Sequence, residues 1–298
     1  MYIPIIDFSP GRPKKTLINE VSKALHETGF MALRNAGVQL STIKAAFAAS
    51  RAFFEQDEQF KRRFLYRNAQ ENFGYQGLAM ESLNPGLPGD LKQTFTMRLN
   101  PQSNIDESRF PSKAFRSATA NFYAECMTSA MRILGVFAEA FDLPEGYFED
   151  TVSGENVALR LLYYPQSKGP RIENQIGAGA HTDYGILTLL FQSDVSGLEV
   201  RDSNGDWQPV PCIPDTVLIN TGDLMQHWTN NHFRSTEHRV LPITDGPDRY
   251  SIAFFVDPDS ETLVDALPQC IDEKHPSTYK AITAGEHIRR KLEQSHNL

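Results

Sequence analysis

From about residue 156 to residue 256 the chain is cut into short apolar or alternating runs, each closed by turn residues, and this texture limits the fold more than any other feature. The runs are Val157–Tyr164, Leu187–Gln192, Leu198–Arg201, Thr216–Asn220, Arg239–Pro242 and Arg249–Val256. Runs of roughly four to eight residues with this patterning are strands. Arg201-Asp202-Ser203-Asn204-Gly205-Asp206-Trp207 sets an Asn-Gly pair between two of them, the signal of a tight hairpin. The pattern predicts antiparallel β, as a sandwich or a jelly roll.

The first half has a different texture. Met1–Asp7 reads as a first strand and lacks the basic region and long apolar stretch of a signal peptide. Leu17, Ile18, Val21 and Leu25 recur at helical spacing, with Gly29 as a stop. Phe30–Ala36 reads as a strand and Gln39–Glu55 as a helix. Residues 68–112 are rich in Asn, Pro, Gly and Ser, and are expected to form a substrate-side lid. Residues 113–141 form a long helix with Phe115, Phe122, Ile133, Leu134, Phe137 and Phe141 as its apolar points. A last helix is expected over about Ser277–Glu293. No repeat and no clean linker divides the chain, so residues 1–298 read as one unit. It has an N-terminal part, 1–150, and a jelly-roll core with its C-terminal helix, 151–298.

Composition narrows the function classes. The net charge is −8 and no basic stripe is visible, which argues against nucleic-acid binding. The cluster Lys61-Arg62-Arg63 reads as a solvated helix end. No apolar run approaches the roughly 18 residues of a membrane span. Three cysteines, Cys126, Cys212 and Cys270, show no metal spacing and read as idle thiols in a reducing cytoplasm.

Chemistry concentrates at two places. His181 and Asp183 are two apart, so on a strand both face one side. His238 follows 57 positions later (238 − 181) and must come from another strand, which a jelly roll brings opposite. Two imidazoles and a carboxylate form a facial triad that leaves open positions on a ferrous ion. Structural zinc prefers closed, Cys-rich sites. Eleven residues after His238 (249 − 238) stands Arg249, with Ser251 at the same strand parity. A guanidinium beside a hydroxyl is a clamp for a carboxylate, and a buried Arg needs an anionic partner.

These motifs, with others in order along the chain, resemble the iron(II)- and 2-oxoglutarate-dependent oxygenases, in their isopenicillin N synthase-like branch. Ile3–Asp7, Gly74-Tyr75, Asp90–Phe95 and Leu161–Pro165 are similar to the family's opening strand, lid region and pre-metal strand. The most specific stretch, residues 180–256, holds His-Thr-Asp-Tyr-Gly, Gly205-Asp206-Trp207, Asn220-Thr221-Gly222-Asp223, Ser235–Val240 and Arg249-Tyr250-Ser251. The resemblance implies a mainly β protein, a distorted double-stranded β-helix flanked by helices. It implies Fe(II) on His181, Asp183 and His238. It implies 2-oxoglutarate on Arg249 and Ser251, with Tyr164 at a position where many members place a hydroxyl. Two departures stand out: Leu162 replaces an Asn common in plant members, and Arg34-Asn35-Ala36 replaces the usual Asn-His.

The implied reaction couples O2 and 2-oxoglutarate to oxidation of a small-molecule C–H bond, releasing succinate and CO2, with ascorbate as a reductant. Hydroxylation is the default outcome; desaturation, cyclisation and epoxidation start from the same centre. Two relatives keep the Arg-x-Ser motif without using 2-oxoglutarate, so a cosubstrate-independent oxidase is one alternative. A metal-containing β-barrel binding protein is another. For the substrate, strand parity puts Arg160 on the face of Tyr164, as an anchor for an anionic molecule or as half of a structural ion pair. Tyr184 and Phe255 are expected as pocket aromatics, and Phe73 and Tyr75 on the lid.

Overall fold

The computed structural model describes residues 3–84, 86–99, 105–167 and 172–295. Met1 and Tyr2 of the expected first strand, and residues 85 and 100–104 of the expected lid, lie outside them. The first half runs β1 (Ile5–Asp7), α1 (Lys14–Glu27), β2 (Phe30–Arg34), α2 (Leu40–Phe54), α3 (Glu58–Lys61), β3 (Gly74–Gln76), β4 (Gln93–Met97) and α4 (Lys113–Ala140). The second half begins β5 (Ala158–Tyr164), β6 (Ala178–His181), β7 (Leu187–Gln192), β8 (Leu198–Arg201) and β9 (Trp207–Pro209). It continues β10 (Val217–Asn220), α5 (Asp223–Trp228), β11 (His238–Val240) and β12 (Arg249–Val256), and ends β13 (Leu263–Val264), β14 (Ile282–Thr283) and α6 (Ala284–Ser295).

Strand alternation explains the layers. The large sheet has eight strands in the order β1-β2-β10-β7-β12-β5-β4-β3, and the small one has four, β6-β11-β8-β9. On β12, Tyr250, Ile252, Phe254 and Val256 turn to the helices, while Arg249, Ser251, Ala253 and Phe255 turn the other way. β5 repeats this, with Leu159, Leu161 and Tyr163 on the helix side and Ala158, Arg160, Leu162 and Tyr164 opposite. Ser112 caps α4, its Oγ accepting from Phe115 N at 3.0 Å. The buried stripe of α4 then lies on the sheet, with Phe122 against Phe191 at 4.9 Å and Tyr123 against Phe254 at 5.1 Å between ring centres. Each such fully buried side chain contributes about 1.5–3 kcal/mol. A second apolar cluster, with Phe30, Leu162, Leu198 and Val240, fills the space between the two sheets. The result is helices, large sheet and small sheet in that order: a mainly β jelly roll.

Several expectations need correction. Residues 68–112 are not one lid: β4 pairs with β5 and β3 pairs with β4, extending the large sheet. Of the described residues in this stretch, Glu81, Leu83 and Lys92 between the two strands reach the cavity, together with Gln76 on β3, Thr96 on β4 and Arg98 just after β4. Lys61 is not solvated; its Nζ is buried and donates to Gln93 Oε1 at 2.9 Å. The last helix begins at Ala284, because Ile282 and Thr283 first pair with β13. Helix α5 is absent from the sequence reading, since six residues are too few to show a helical period. Among the described residues no helix is long and apolar enough to cross a membrane.

Candidate active site

The two histidines meet by register. His238 on β11 is the direct cross-strand partner of His181 on β6, with ring centres 4.3 Å apart. A register shift follows between His238 and Val240. Asp183 sits beyond the end of β6, not on the strand, so alternation is not what aims it. Its Oδ2 instead accepts from Thr188 Oγ1 on β7 and Asn220 Nδ2 on β10, both at 2.6 Å. That leaves Oδ1 facing the rings, 3.7 Å from His238 Nε2 and 4.0 Å from His181 Nε2.

The protons follow from these partners. His181 Nδ1 donates to Gly179 O at 2.7 Å and His238 Nδ1 to Thr236 O at 3.1 Å. A carbonyl can only accept, so each Nδ1 carries the hydrogen and each Nε2 presents a lone pair. Burial first, and His238 second, push the His181 imidazole down to about 3, against the pull of Asp183. Three electron-pair donors therefore converge, all within 4.8 Å of one another, with no hydrogen to share. A divalent cation fits this donor set, and backbone-tethered Nδ1 atoms are the usual support of metal-binding imidazoles.

Across the cavity Arg249 is 1% exposed, one of the largest fully buried side chains of the protein. Its Nη2 donates to Gln192 Oε1 at 2.9 Å and its Nη1 to Ser251 Oγ at 3.3 Å. Its guanidinium lies 4.8 Å from the Tyr164 ring centre, and Nε has no partner. Among the described residues no carboxylate pairs with it. A buried cation in that state is strongly unfavourable unless an anion arrives.

Arg160 is different. Its Nη2 meets Glu81 Oε2 at 2.7 Å, and the same oxygen takes Lys92 Nζ at 3.0 Å. Lys92 also pairs with Asp90, whose Oδ1 accepts from Gly179 N at 2.9 Å. The Arg160 charge is thus already answered, and of the two roles expected for this residue the structural ion pair is the one observed. Burial raises the Glu81 carboxyl, but Arg160 and Lys92 outweigh it and hold the group well below the usual carboxylate range.

Tyr164, Leu162, Tyr184 and Phe255 line the same cavity as the histidines and Arg249. Phe73 and Tyr75 do not. They lie on the helix side of β3, buried in an aromatic cluster, with Phe53 5.7 Å from Tyr75 and Phe95 5.6 Å from Phe73. The pocket face of that strand belongs to Gln76, one residue along. Sequence reasoning assigns no site role to Thr188, Gln192 or Asn220: Thr188 is a lone polar residue inside an apolar run, and Gln192 and Asn220 are the last residues of β7 and β10, where a polar residue carries no spacing signal. Ile288 and Leu292 of α6 complete the wall. Helix α6 is held by Lys291 Nζ on Asp223 Oδ2 at 2.6 Å. Burial raises Asp223, but bonds from His287, Lys291 and Ser235 prevail and bring it to about 2.

Residues 155–258 match the 2OG-Fe(II) oxygenase superfamily, and residues 3–116 match the family described as non-haem dioxygenase in morphine synthesis N-terminal. The chain is 34% identical to UPF0676 protein C1494.01 of Schizosaccharomyces pombe, over 96% of this chain and 90% of that one. It is 31% identical to proline hydroxylase buaE of Petromyces alliaceus, over 99% and 98%. The crystal structure of a full-length Neurospora crassa protein in complex with alpha-KG and thymine superposes with a TM-score of 0.86 at 28% identity, covering 97% of this chain and 96% of that chain. The chain belongs to the 2OG-Fe(II) oxygenase superfamily. It is a 2-oxoglutarate-dependent dioxygenase, and iron, 2-oxoglutarate and O2 are what it works with.

Proposed function

We propose that His181, Asp183 and His238 hold the ferrous ion, that Arg249 and Ser251 hold the distal carboxylate of 2-oxoglutarate, and that the enzyme hydroxylates a small molecule. The observation that carries this is Arg249: a fully buried guanidinium with no carboxylate partner among the described residues, in one cavity with three convergent metal donors. When bound, the iron supplies O2 activation coupled to oxidative decarboxylation of 2-oxoglutarate, which oxidises a substrate C–H bond.

The protein's part is orientation and exclusion. Gln192 and the Tyr164 ring fix the guanidinium plane, so that two parallel N–H bonds can meet a carboxylate. Thr188 and Asn220 hold one Asp183 oxygen, directing the other to the metal. Leu162, Leu190 and Ala253 give the middle of the cavity apolar walls, which keep bulk water from the reacting centre. Tyr184 and Phe255 supply flat apolar surfaces for the substrate.

A negative charge on the substrate is not required, since the expected anchor Arg160 has Glu81 as its partner. The N. crassa structure holds thymine, which supports a small-molecule substrate here. Residues 1–298 work as one oxygenase unit, because β1 to β4 belong to the sheet that carries Arg249. A reducing cytoplasm suits its three free thiols and a ferrous centre.

The test is Fe(II)-dependent formation of succinate from 2-oxoglutarate. Wild-type protein is expected to produce it and Asp183→Ala to lose it. Succinate formation that survives Asp183→Ala would overturn the assignment, and iron binding without succinate would point to a cosubstrate-independent oxidase.

A further inference from the structure

Among the described residues, the charged groups of the cavity either pair with one another or belong to the iron and cosubstrate site proposed above, with two exceptions. Arg160 and Lys92 are answered by Glu81 and Asp90. Arg249 is taken by the cosubstrate in the function proposed. Arg98 and Asp257 remain, and both line the cavity. Among the described residues Arg98 makes one long hydrogen bond, Nη1 to Gln70 O at 3.4 Å, and its Nε is buried without a partner. Asp257 makes no hydrogen bond or ion pair among the described residues; its carboxyl lies over Gly185, where a Cβ would collide with it. The two are near enough for the Arg98 charge to pull on Asp257, but they do not form an ion pair. A buried donor left in this state, as Arg98 Nε is, costs about 1–3 kcal/mol.

Their position is set by the sheet. Arg249, Ser251, Ala253, Phe255 and Asp257 follow one another at alternate positions and all line the cavity. At about 3.3 Å per residue, Arg249 and Asp257 are separated by roughly 26 Å of chain, so a ligand on Arg249 leaves Asp257 free. Thr96 and Ala253 both pair with Arg160; Arg98 stands two residues beyond Thr96, and Phe255 two beyond Ala253. Arg98 and Asp257 therefore share the end of the cavity away from the clamp, beside Phe255.

We infer, resting on the reading of this cavity as the oxygenase site, that Arg98 and Asp257 form a substrate subsite for a neutral amide-type group, its carbonyl oxygen on Arg98 and its N–H on Asp257. A carboxylate on Arg98 would set its charge beside Asp257. A cation on Asp257 would face Arg98. An amide satisfies both residues without adding charge. Burial foremost, and Asp183 as well, lift the Asp257 carboxyl to about 7 against Arg98, and in either protonation state it retains an oxygen that accepts from N–H.

The test uses the whole protein loaded with Ni(II), a redox-inert stand-in, and 2-oxoglutarate, with ligand-observed NMR as the readout. The probes are δ-valerolactam, its N-methyl derivative and cyclohexanecarboxylate. The lactam is expected to bind about tenfold more tightly than either of the others, one hydrogen bond's worth. Arg98→Leu and Asp257→Leu are each expected to weaken the lactam about tenfold while leaving 2-oxoglutarate affinity within about twofold. Should Arg98→Leu fail to fold, Arg98→Gln takes its place. No lactam binding, preference for the carboxylate, or wild-type lactam affinity in both variants would overturn the subsite. Failure of the wild-type protein to bind 2-oxoglutarate would instead overturn the reading of the cavity on which it rests.

Discussion

Replacing Arg249 with Leu should move cosubstrate affinity and protein stability in opposite directions. In the ligand-free protein the guanidinium is 1% exposed and lacks an anion. Substituting a buried charge by an apolar side chain is often neutral or stabilising by about 1–4 kcal/mol. Against this, Gln192 Oε1 loses its donor, a cost of about 1–3 kcal/mol. The net expectation is a ligand-free stability equal to wild type or higher by about 1–2 kcal/mol. Binding goes the other way. Two charge-assisted hydrogen bonds of about 1.5–3 kcal/mol each are lost, so 2-oxoglutarate should bind roughly 10²–10⁴-fold more weakly. Calorimetric titration of the Ni(II)-loaded protein gives the affinity. Thermal melts with and without 2-oxoglutarate give the stability. A variant that binds 2-oxoglutarate within about tenfold of wild type would refute the clamp. Ligand-free destabilisation beyond about 3 kcal/mol would refute the view that this cation lacks an anionic partner among the described residues of the free protein.

Three further outcomes follow from the same geometry. Glu81→Gln leaves Arg160 and Lys92 as buried cations with Asp90 as their remaining carboxylate, and should cost about 3–5 kcal/mol, read as a fall in Tm of about 5–15 °C. Thr188→Val combined with Asn220→Ala frees the Asp183 carboxylate to rotate and should weaken Fe(II) binding by about 10–100-fold, measured by competition with a chelator. For Asp257 in the metal-free protein, the folded value of about 7 lies above the ordinary 3.8, so the folded state holds a proton that the unfolded chain has released. Stability from this group is therefore full below about pH 4 and is lost as pH rises through about 7. Asp257→Asn should gain about 1–2 kcal/mol over wild type at pH 8 and little at pH 4, by denaturant melts, the partial exposure of the group limiting the gain.

What the sequence discloses is set by periodicity. The strand runs, α4 and the Asn-Gly hairpin have strong local patterns, and each lies within a residue or two of its expected bounds. The His181–His238 meeting is legible because a wide separation on strands demands a cross-strand partner, which the register supplies. Three things are not legible. Short strands inside a Pro- and Gly-rich stretch, β3 and β4, carry no period of their own, and their stability comes from pairing, β4 with β5 and β3 with β4. Parity also has to be counted from a fixed point. Without knowing which face of β3 meets the helices, sequence reasoning assigns Phe73 and Tyr75 to a substrate-side lid, although alternation puts Gln76 on the pocket face. Likewise, Glu81 precedes Arg160 by 79 positions, and no local signal announces that the two would pair.

An anaerobic titration of the metal-free protein with Fe(II) and then 2-oxoglutarate addresses the iron and cosubstrate assignments together. A visible charge-transfer band is expected in wild type. It should be absent in His181→Ala and should need excess 2-oxoglutarate in Arg249→Leu. A band that persists unchanged in His181→Ala, or iron binding that gives no band in wild type, would contradict the assignment of these residues.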